Sequence, residues 1–438
     1  MPAMRYLLSL LVFVLGVTSA AAQEWTQFRG PSRDGIVPAA VIPKQWPKST
    51  TRAWTVEIGE GYSSPVVANG RVFLHSRRDP EEIVTAIDVA TGKIAWQQKY
   101  AAGFTKNQYA TAMAKGPNST PLVAGNRLFT LGVTGILTAW HTADGTIAWR
   151  QDYSSSIDTS KLFCGTAMSP MLEGGSLIVQ VGSDVHGGRV LALNPATGKE
   201  RWAWQGLGPG YASPLAVTIN GVRQIITLTN GSIVGIEAAN GASLWSIPFP
   251  DEWHENIVSP LWTGTALIVS GPRQGTHAYS IARAGPPSRP EAATARSRRS
   301  SPESVRAEAD KWQTKPLWKN ADVTMYTAAP VLADGVIYGM SNKRRGQFVA
   351  VRASDGWLKW STPGRDGNHA SILQHGEQLL FLNDAGVLIV SKRTAEGFTE
   401  QHRYELTQAA TWAVPVFLPD GLLIRDATSV QKLLWPGS

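Results

Sequence analysis

The 438-residue chain is poor in cysteine and in charge. It has one cysteine, Cys164, so it can form no internal disulfide and its fold must be held by packing. Only 17% of its residues are charged while 43% are hydrophobic, which excludes a disordered acidic or basic chain. No apolar run beyond the amino-terminal segment approaches the roughly twenty residues of a membrane span, so we expect no transmembrane anchor.

A basic stripe with interleaved aromatics is also missing. The net charge is +8, from 41 Lys and Arg against 33 Asp and Glu. Half of this excess lies in one Pro-, Ala-, Arg- and Ser-rich segment, because residues 283–315 contain eight basic and four acidic side chains. The remainder is only mildly basic. The charge distribution therefore indicates that nucleic acid is not a partner.

Tryptophan and glycine, in contrast, are abundant. The chain has 17 Trp and 42 Gly, and this glycine content suits many tight turns better than long helices. The composition indicates an all-β repeat protein.

The first residues have the organisation of an export signal. Arg5 precedes an apolar stretch from Leu7 to Val17, and small residues follow up to Gln23. This pattern is typical of a cleaved signal peptide over residues 1–22. Cys164 is far from the cleavage site, which excludes a lipid anchor on a cysteine there. We expect a periplasmic or secreted protein.

One phrase recurs with constant internal spacing. It consists of a small residue and an apolar strand, a turn containing glycine, and a second strand ending in tryptophan, which is a β-hairpin signature. Its five copies are Ala86–Trp96, Ala139–Trp149, Ala192–Trp202, Gly235–Trp245 and Ala350–Trp360.

A second phrase begins the other half of each unit. A small residue precedes proline and an apolar run at Pro65, Pro121, Pro170, Pro214, Pro260, Pro330 and Pro415, and Ser371-Ile372 fills the remaining place. Each unit therefore has four short antiparallel strands, which is the pattern of a β-propeller blade. Eight starts predict an all-β, eight-bladed β-propeller of four-stranded antiparallel blades.

The eighth unit lacks its fourth strand. The segment from Arg52 to Ile58, with Trp54, can supply it, and we predict that this amino-terminal strand closes the last blade. The predicted organisation is an amino-terminal extension over residues 23–50, then the propeller over residues 51–438, interrupted by a flexible insertion at 283–313. The seventh unit departs from the pattern because Tyr404 replaces the expected tryptophan.

The first phrase resembles the repeat of the quinoprotein-like propellers with the tryptophan-docking motif, Ala-x-Asp-x-x-Thr-Gly-x-x-x-Trp. Ala86, Asp88, Thr91, Gly92 and Trp96 match it fully. The resemblance covers residues 50–438 and implies that a tryptophan packs between neighbouring blades. The structural tryptophans it assigns are Trp54, Trp96, Trp149, Trp202, Trp245, Trp318 and Trp360. The phrase from Trp25 to Gly35 resembles the start of many secreted bacterial proteins of this type.

The resemblance implies two kinds of function. Some members are pyrroloquinoline-quinone-dependent dehydrogenases with quinone and calcium in the central funnel, and others are scaffolds without a cofactor, such as the propeller subunit of the outer-membrane β-barrel assembly machinery. The alcohol dehydrogenases carry adjacent cysteines and long blade insertions. This chain has only Cys164 and mostly short units, so we predict no cofactor, metal or catalytic residue. Cys164 is interpreted as a packed residue.

Residues just before each unit's first strand should surround the funnel mouth. They are Tyr62, Asn118, Ala167, Tyr211, Ile257, Thr327, His369 and Trp412, with His254, Glu255 and Asn256 nearby. Aromatic and polar groups at a rim can bind a small ligand, and the predicted ligand-binding residues are Tyr62, Asn118, Tyr211, His254, Glu255, Asn256, His369 and Trp412. The alternative is that loops at a propeller mouth are simply polar and aromatic.

Three functional hypotheses follow. The preferred one is an exported, non-catalytic propeller, monomeric, that binds a protein or polymer through its faces. The alternatives are a quinone- and calcium-dependent dehydrogenase of alcohols or sugars, and a sensor that binds a small molecule or sugar in the funnel.

Overall fold

The computed structural model describes residues 24–107, 110, 115–156, 162, 164–283 and 312–436. Its strands form eight four-stranded antiparallel sheets, so the predicted eight-bladed propeller is confirmed. The described residues contain no α-helix, and three short 3-10 turns stand at Ala39–Val41, Ser154–Ser156 and Lys343–Arg345. The predicted signal peptide and most of the 283–313 insertion lie outside the described residues.

Blades 1 to 4 each use four consecutive strands. Blade 1 has β2 (Val66–Ala68), β3 (Arg71–Arg78), β4 (Glu81–Asp88) and β5 (Ile94–Ala101). Blade 2 has β6 (Leu122–Ala124), β7 (Arg127–Leu131), β8 (Ile136–His141) and β9 (Ile147–Asp152). Blade 3 has β10 (Met171–Glu173), β11 (Ser176–Ser183), β12 (Gly187–Leu193) and β13 (Glu200–Gly206). Blade 4 has β14 (Leu215–Ile219), β15 (Val222–Leu228), β16 (Ser232–Glu237) and β17 (Ser243–Pro248).

Blades 5 to 8 repeat the arrangement. Blade 5 has β18 (Leu261–Trp262), β19 (Leu267–Gly271), β20 (Gly275–Arg283) and β21 (Trp312–Asn320). Blade 6 has β22 (Val331–Ala333), β23 (Val336–Ser341), β24 (Gln347–Arg352) and β25 (Leu358–Ser361). Blade 7 has β26 (Ala370–His375), β27 (Gln378–Asn383), β28 (Val387–Lys392) and β29 (Glu400–Glu405). Blade 8 has β30 (Val416–Leu418), β31 (Gly421–Arg425) and β32 (Ser429–Leu434), and it is completed by β1 (Thr51–Glu57).

The last blade is closed as predicted. Strand β1 pairs antiparallel with β32, so that Thr51 lies opposite Leu434 and Glu57 opposite Ser429. The sheet order is β1-β32-β31-β30, which makes β1 the outermost strand of blade 8. A strand from near the amino terminus therefore occupies what would otherwise be an open sheet edge.

The direction of the strands defines two ends of the ring. The first strand of each blade is innermost, and first strands of neighbouring blades contact one another, as β2 and β6 do. It runs from the rim positions toward a turn such as Asn69-Gly70. We call the rim side the mouth end and the opposite side the closed end. Because strands alternate in direction, the connections between second and third strands lie at the mouth end.

Docking tryptophans join adjacent blades at the closed end. In six of the seven predicted positions the indole Nε1–H donates to a backbone oxygen in the turn between the third and fourth strands of the next blade. Gly198 shows why that turn needs glycine: its φ is +70°, and a Cβ there would lie 2.7 Å from Cε3 of Trp149. The six are Trp54, Trp96, Trp149, Trp202, Trp318 and Trp360.

The seventh tryptophan and Tyr404 make different contacts. Trp245 donates to Oε1 of Gln224 within its own blade at 2.7 Å, since the next blade has the insertion in place of the usual turn. Tyr404 is buried and donates to the Pro47 carbonyl at 2.6 Å, so it contacts the amino-terminal extension. The hydrophobic clusters are formed by residues of adjacent blades, as between Phe73 and Trp140. The core of this ring therefore lies between blades.

Candidate functional site

A cavity in the central channel is lined by the residues that were predicted to form the rim. Its volume, taken as the space open to the centre of a water molecule, is about 170 Å³. This is smaller than typical ligand pockets of ~300–1000 Å³, so the cavity can enclose only a small ligand or part of a larger one. All eight rim positions line it, each from a different blade: Tyr62, Asn118, Ala167, Tyr211, Ile257, Thr327, His369 and Trp412. Binding of a ligand by these residues stays a prediction.

Three of the rim side chains form an aromatic stack. The rings of Tyr62 and Trp412 are stacked with their centroids 5.1 Å apart, and those of Trp412 and His369 are stacked at 4.8 Å. Nδ1 of His369 lies 3.0 Å from the hydroxyl of Thr327. Burial lowers the pKa of the His369 imidazole from 6.5 to about 4, so the ring is neutral at pH 7. This side of the mouth offers flat, uncharged surface.

Glu255 lies beside the cavity, but both oxygens of its carboxylate already have a hydrogen-bond or ion-pair partner. One oxygen accepts a hydrogen bond from the Tyr326 hydroxyl at 2.8 Å, and the other pairs with Arg273 at 2.9 Å. Arg273 also pairs with the buried carboxylate of Asp251. Burial, with the charge of Glu255 as the next cause, raises the pKa of the Tyr326 hydroxyl, which therefore stays protonated as a donor. Glu255 is thus built into a closed ion-pair network.

The two neighbours of Glu255 point elsewhere. The amide of Asn256 is buried and donates to the carbonyls of Thr229 and Phe249, at 2.8 and 3.0 Å, which fixes the loop between blades 4 and 5. His254 is exposed, and its Nδ1 lies 2.9 Å from the carboxylate of Asp184 in blade 3. Neither residue is among those that line the cavity.

The floor of the cavity comes from the amino-terminal extension, which sequence reasoning left without a role. Phe28 and Arg29 line the cavity from below. The extension forms bridges with the first strands of blades 1 and 7: Trp25 pairs with Val67, and Ile36 with Gln374. Each contacted residue lies five positions beyond its blade's rim residue, which places the floor roughly 10 Å or more below the mouth.

Two arginines fasten this floor to the ring. Nη2 of Arg29 donates to the Pro330 carbonyl of blade 6 at 2.7 Å. Nη1 of Arg33 donates to the Pro170 carbonyl of blade 3 at 3.0 Å, and its Nη2 reaches the Pro214 carbonyl of blade 4 at 3.5 Å. Burial lowers the pKa of Arg29 to about 10 and that of Arg33 to about 9, and both remain charged at neutral pH.

The small residue before each proline also has a role that the sequence did not reveal. The backbone N–H of Val414 donates to Oγ of Ser64 at 2.9 Å, and that of Ser64 donates to Oγ1 of Thr120 at 3.2 Å. The backbone N–H of Thr120 donates to Oγ of Ser169, and that of Ser169 donates to Oγ of Ser213, both at 3.0 Å. A chain of hydrogen bonds thus links blade 8 to blade 4 around the channel. The recurrence of Ser and Thr at these positions was the available signal.

Cys164 lies on the cavity wall, and burial raises the pKa of its thiol to about 12. A neutral thiol is a poor nucleophile and metal ligand. The amide of Asn118 donates to the Cys164 carbonyl at 3.0 Å, which ties the wall to blade 2.

A quinone with calcium does not fit these residues. The described residues that line the cavity include no Asp or Glu, and Glu255 beside it is held by Arg273 and Tyr326. Across the described ranges, no group of three or more His, Cys, Asp and Glu could hold a metal ion. Calcium requires several oxygen ligands with carboxylates among them.

The chain is similar in sequence to proteins named as outer membrane protein assembly factors. The sequence profile of the family described as "Outer membrane protein assembly factor BamB" matches residues 47–108 and 80–362. BamB of Yersinia pestis is 24% identical over 220 residues, which is 50% of this chain and 50% of that protein. BamB of Aliivibrio fischeri is 30% identical over 100 residues, 23% of this chain and 25% of that protein. The chain thus spans half or less of the length of these curated relatives.

Solved structures share the fold at low sequence identity. BamB from Moraxella catarrhalis has a TM-score of 0.57 at 14% identity, covering 89% of this chain and 98% of that one. Quinohemoprotein alcohol dehydrogenase from Comamonas testosteroni has a TM-score of 0.64 at 13% identity, covering 96% of this chain and 82% of that one. In the described part of this chain no helix is both long and apolar enough to cross a bilayer. Because the family profile spans more than half of the sequence, the chain belongs to the BamB-like family of quinoprotein-repeat β-propellers.

Proposed function

We propose that the protein is an exported, non-catalytic scaffold that binds a protein partner in outer-membrane protein assembly. Its family and the BamB relatives support the process, and the expected signal peptide supports a periplasmic location. The occupied state of Glu255 and the neutral thiol of Cys164 support a binding role over a catalytic one. We expect purified protein from periplasmic extracts to begin at Gln23, which amino-terminal sequencing checks.

One observation carries the proposal: an apolar surface at the mouth end of blades 3 to 5, which we call the blade 3–5 patch. It consists of Val185, Leu207 and Trp253, with exposed fractions of 58%, 52% and 57%. Large apolar side chains grouped on one surface mark sites of protein association, because burying them in a partner removes them from water. Tryptophan is also enriched among the residues that contribute most to protein interfaces.

Hydrogen bonds hold the three loops of the patch together. Asp184, next to Val185, accepts from Nδ2 of Asn230 at 2.6 Å and pairs with His254 at 2.9 Å. The Asn230 N–H donates to the carbonyl of Gly208, beside Leu207, at 2.8 Å. The apolar side chains therefore project from loops that are fixed before binding, which lowers the entropic cost of association.

The test uses cells that depend on this protein. A variant with Val185→Ser, Leu207→Ser and Trp253→Ser should fold normally, since all three side chains are exposed, but it should fail to restore outer-membrane protein levels after depletion. The measurement is quantitative immunoblotting of outer-membrane proteins. The matched control carries Ile94→Ser, Ile147→Ser and Trp357→Ser, which are equally exposed on the outer part of the blades. Normal levels upon complete depletion of the protein would contradict the proposed process.

The cavity supports a second candidate, a sensor that binds a sugar or another small molecule. The observation in its favour is that four blades bring Tyr62, Tyr211, His369 and Trp412 to one opening. Sugars bind to aromatic faces with a few polar groups for orientation. Calorimetric titration with a panel of sugars should then give heat that is lost in Tyr211→Ala and Trp412→Ala variants. Absence of heat with the entire panel would reject sugar binding, and redox turnover after adding quinone and calcium would favour the dehydrogenase.

A further inference from the structure

Nine non-glycine residues in the described ranges have left-handed backbone, and five of them are arginines. This conformation places Cβ close to the carbonyl oxygen, and it is found mainly in Gly, Asn and Asp. Arginine has no such preference. Residues held in such strained conformations cluster at functional sites, where the surrounding structure fixes them. The five are Arg29, Arg33, Arg344, Arg345 and Arg365.

Two of the five have partners inside the ring. Arg29 and Arg33, with φ of 59° and 60°, donate to backbone carbonyls of blades 6, 3 and 4 as described above. Their guanidinium groups hold the floor in place. At these two positions, left-handed backbone therefore accompanies a defined guanidinium contact.

The other three face solvent at the mouth end, and we call them the arginine cluster. Arg344 and Arg345 lie in the β23–β24 hairpin, with φ of 52° and 62°, and Arg365, with φ of 69°, follows β25. All three are exposed. The two loops are held together by backbone hydrogen bonds from Arg365 N–H to the Arg344 carbonyl, 3.0 Å, and from Gly367 N–H to the Arg345 carbonyl, 3.3 Å.

No described residue supplies a carboxylate to the arginine cluster, since none of its guanidinium groups forms an ion pair within the part of the chain that the structure describes. The acidic residues nearby are otherwise engaged. Asp322 pairs with Lys343 at 2.9 Å, and Asp384 accepts from the amide of Asn368 at 3.0 Å. Asp366 accepts from the hydroxyl of Thr362. The three guanidinium groups on this pair of loops thus have no carboxylate partner among the described residues and can bind an external anion, although the charges of Asp366 and Asp384 remain nearby.

The arginine cluster and the blade 3–5 patch occupy equivalent loops of different blades. Val185 lies in the β11–β12 hairpin of blade 3, and Arg344 lies in the corresponding β23–β24 hairpin of blade 6. Leu207 and Arg365 likewise follow the fourth strands of these two blades. Both surfaces therefore belong to the mouth face, and a single partner can contact the apolar side and the basic side together.

We propose that the arginine cluster binds an acidic segment of the same protein partner that the blade 3–5 patch engages. This inference rests on the proposed function and specifies the chemistry of the partner. Guanidinium groups form two parallel hydrogen bonds with a carboxylate, and their fixed loops reduce the ordering cost. An anionic membrane is the less suitable occupant, because lipid-binding clusters contain about four to eight basic residues and only three are free here.

The first experiment measures binding of a fluorescein-labelled peptide made of Glu-Leu-Ser repeats by fluorescence anisotropy. A variant with Arg344→Asn, Arg345→Asn and Arg365→Asn keeps residues that accept left-handed backbone, so it should fold, and it should bind the peptide about tenfold more weakly. The control carries Arg52→Gln, Lys93→Gln and Lys359→Gln, which removes the same charge from exposed outer positions and should bind like the parent. Binding should also weaken at high salt and with a Gln-Leu-Ser peptide.

Two outcomes would overturn the inference. One is equal peptide affinity of the parent and the asparagine variant. The other is binding of the parent to phosphatidylglycerol vesicles, lost in the asparagine variant, without binding to the acidic peptide. The complementation assay separates the two proposals. If the asparagine variant restores outer-membrane protein levels while the blade 3–5 patch variant does not, the arginine cluster inference fails and the scaffold proposal stands. If protein depletion changes nothing, the scaffold proposal itself fails.

Discussion

The closed end and the mouth end of the ring are built from the same repeat but differ in what their residues contact. At the closed end the docking tryptophans donate to the turns of the next blade, and deeper in the channel Arg29 binds the Pro330 carbonyl. At the mouth, Trp253 and Arg344 occupy loops and face solvent. The same residue types therefore stabilise the ring in one region and face solvent in the other.

The largest expected difference in the free energy of unfolding is between the alanine variants of two tryptophans. Trp25 is 1% exposed in a core cluster with Val67 and Leu373, and Trp25→Ala should lower the free energy of unfolding by about 3 to 5 kcal/mol. Trp253 is 57% exposed, and Trp253→Ala should change it by no more than about 0.5 kcal/mol. Urea unfolding of both variants makes the measurement. A loss of no more than about 0.5 kcal/mol in Trp25→Ala would show that the amino-terminal extension is not part of the cooperative unit.

The docking tryptophans provide a second matched pair. Trp149→Ala should cost about 3 kcal/mol, because the variant loses the packing on Gly198 and the hydrogen bond to the Pro195 carbonyl. Trp357 has the same side chain at 63% exposure, and Trp357→Ala should cost about 0.5 kcal/mol or less. Thermal melts monitored by circular dichroism can rank them. A Trp149→Ala protein that melts with the parent would contradict the interblade role.

Substitution of an arginine in the floor and of one at the mouth should change the free energy of unfolding in opposite directions. Arg29→Met removes a buried charged donor to the Pro330 carbonyl and should lower the free energy of unfolding by about 2 kcal/mol. Arg344→Asn removes an exposed guanidinium and relieves left-handed backbone, which should raise it by about 0.5 kcal/mol. Denaturant titration at constant ionic strength compares them. A loss in both variants would mean that Arg344 has a stabilising contact in the free protein.

The last expected effect concerns pH and the mouth, and it is absent at neutral pH. The folded pKa of His369 is about 4 and its ordinary value is 6.5, so between these values the unfolded chain binds a proton that the folded chain does not. The free energy of unfolding should therefore decrease as the pH falls through that window. His369→Phe should flatten this part of the curve, with His402→Phe on the outer strand β29 as the control. An unchanged slope in His369→Phe would place the titration elsewhere.

The sequence predicted the ring because its information is local and repeated. A turn glycine followed by tryptophan at constant spacing fixes each hairpin, and the missing fourth strand of blade 8 identified β1 as its closing partner. The rim positions followed from the same register, since equivalent positions of equivalent strands must face one axis. The structure brings all eight to one cavity.

The floor and the arginine cluster could not be derived in this way. Arg29 meets Pro330 across 301 positions of sequence, and no periodic pattern signals that contact. Nothing in the residue type predicts left-handed backbone at Arg344 or Arg345. Glu255 was among the predicted ligand-binding residues, but its carboxylate oxygens contact Arg273 and Tyr326, which come from another part of blade 5 and from the approach to blade 6.

The pairing of β1 with β32 also determines the order in which this protein can be completed. During synthesis β1 is made before any of the eight sheets, and it has to remain unpaired until the strands of blade 8 follow. An unpaired strand is an aggregation hazard when it is apolar. Strand β1 reads Thr-Arg-Ala-Trp-Thr-Val-Glu, and most of its side chains stay exposed even in the finished ring. Because β1 is largely polar, it can remain soluble while it is unpaired, until β32 has been synthesised.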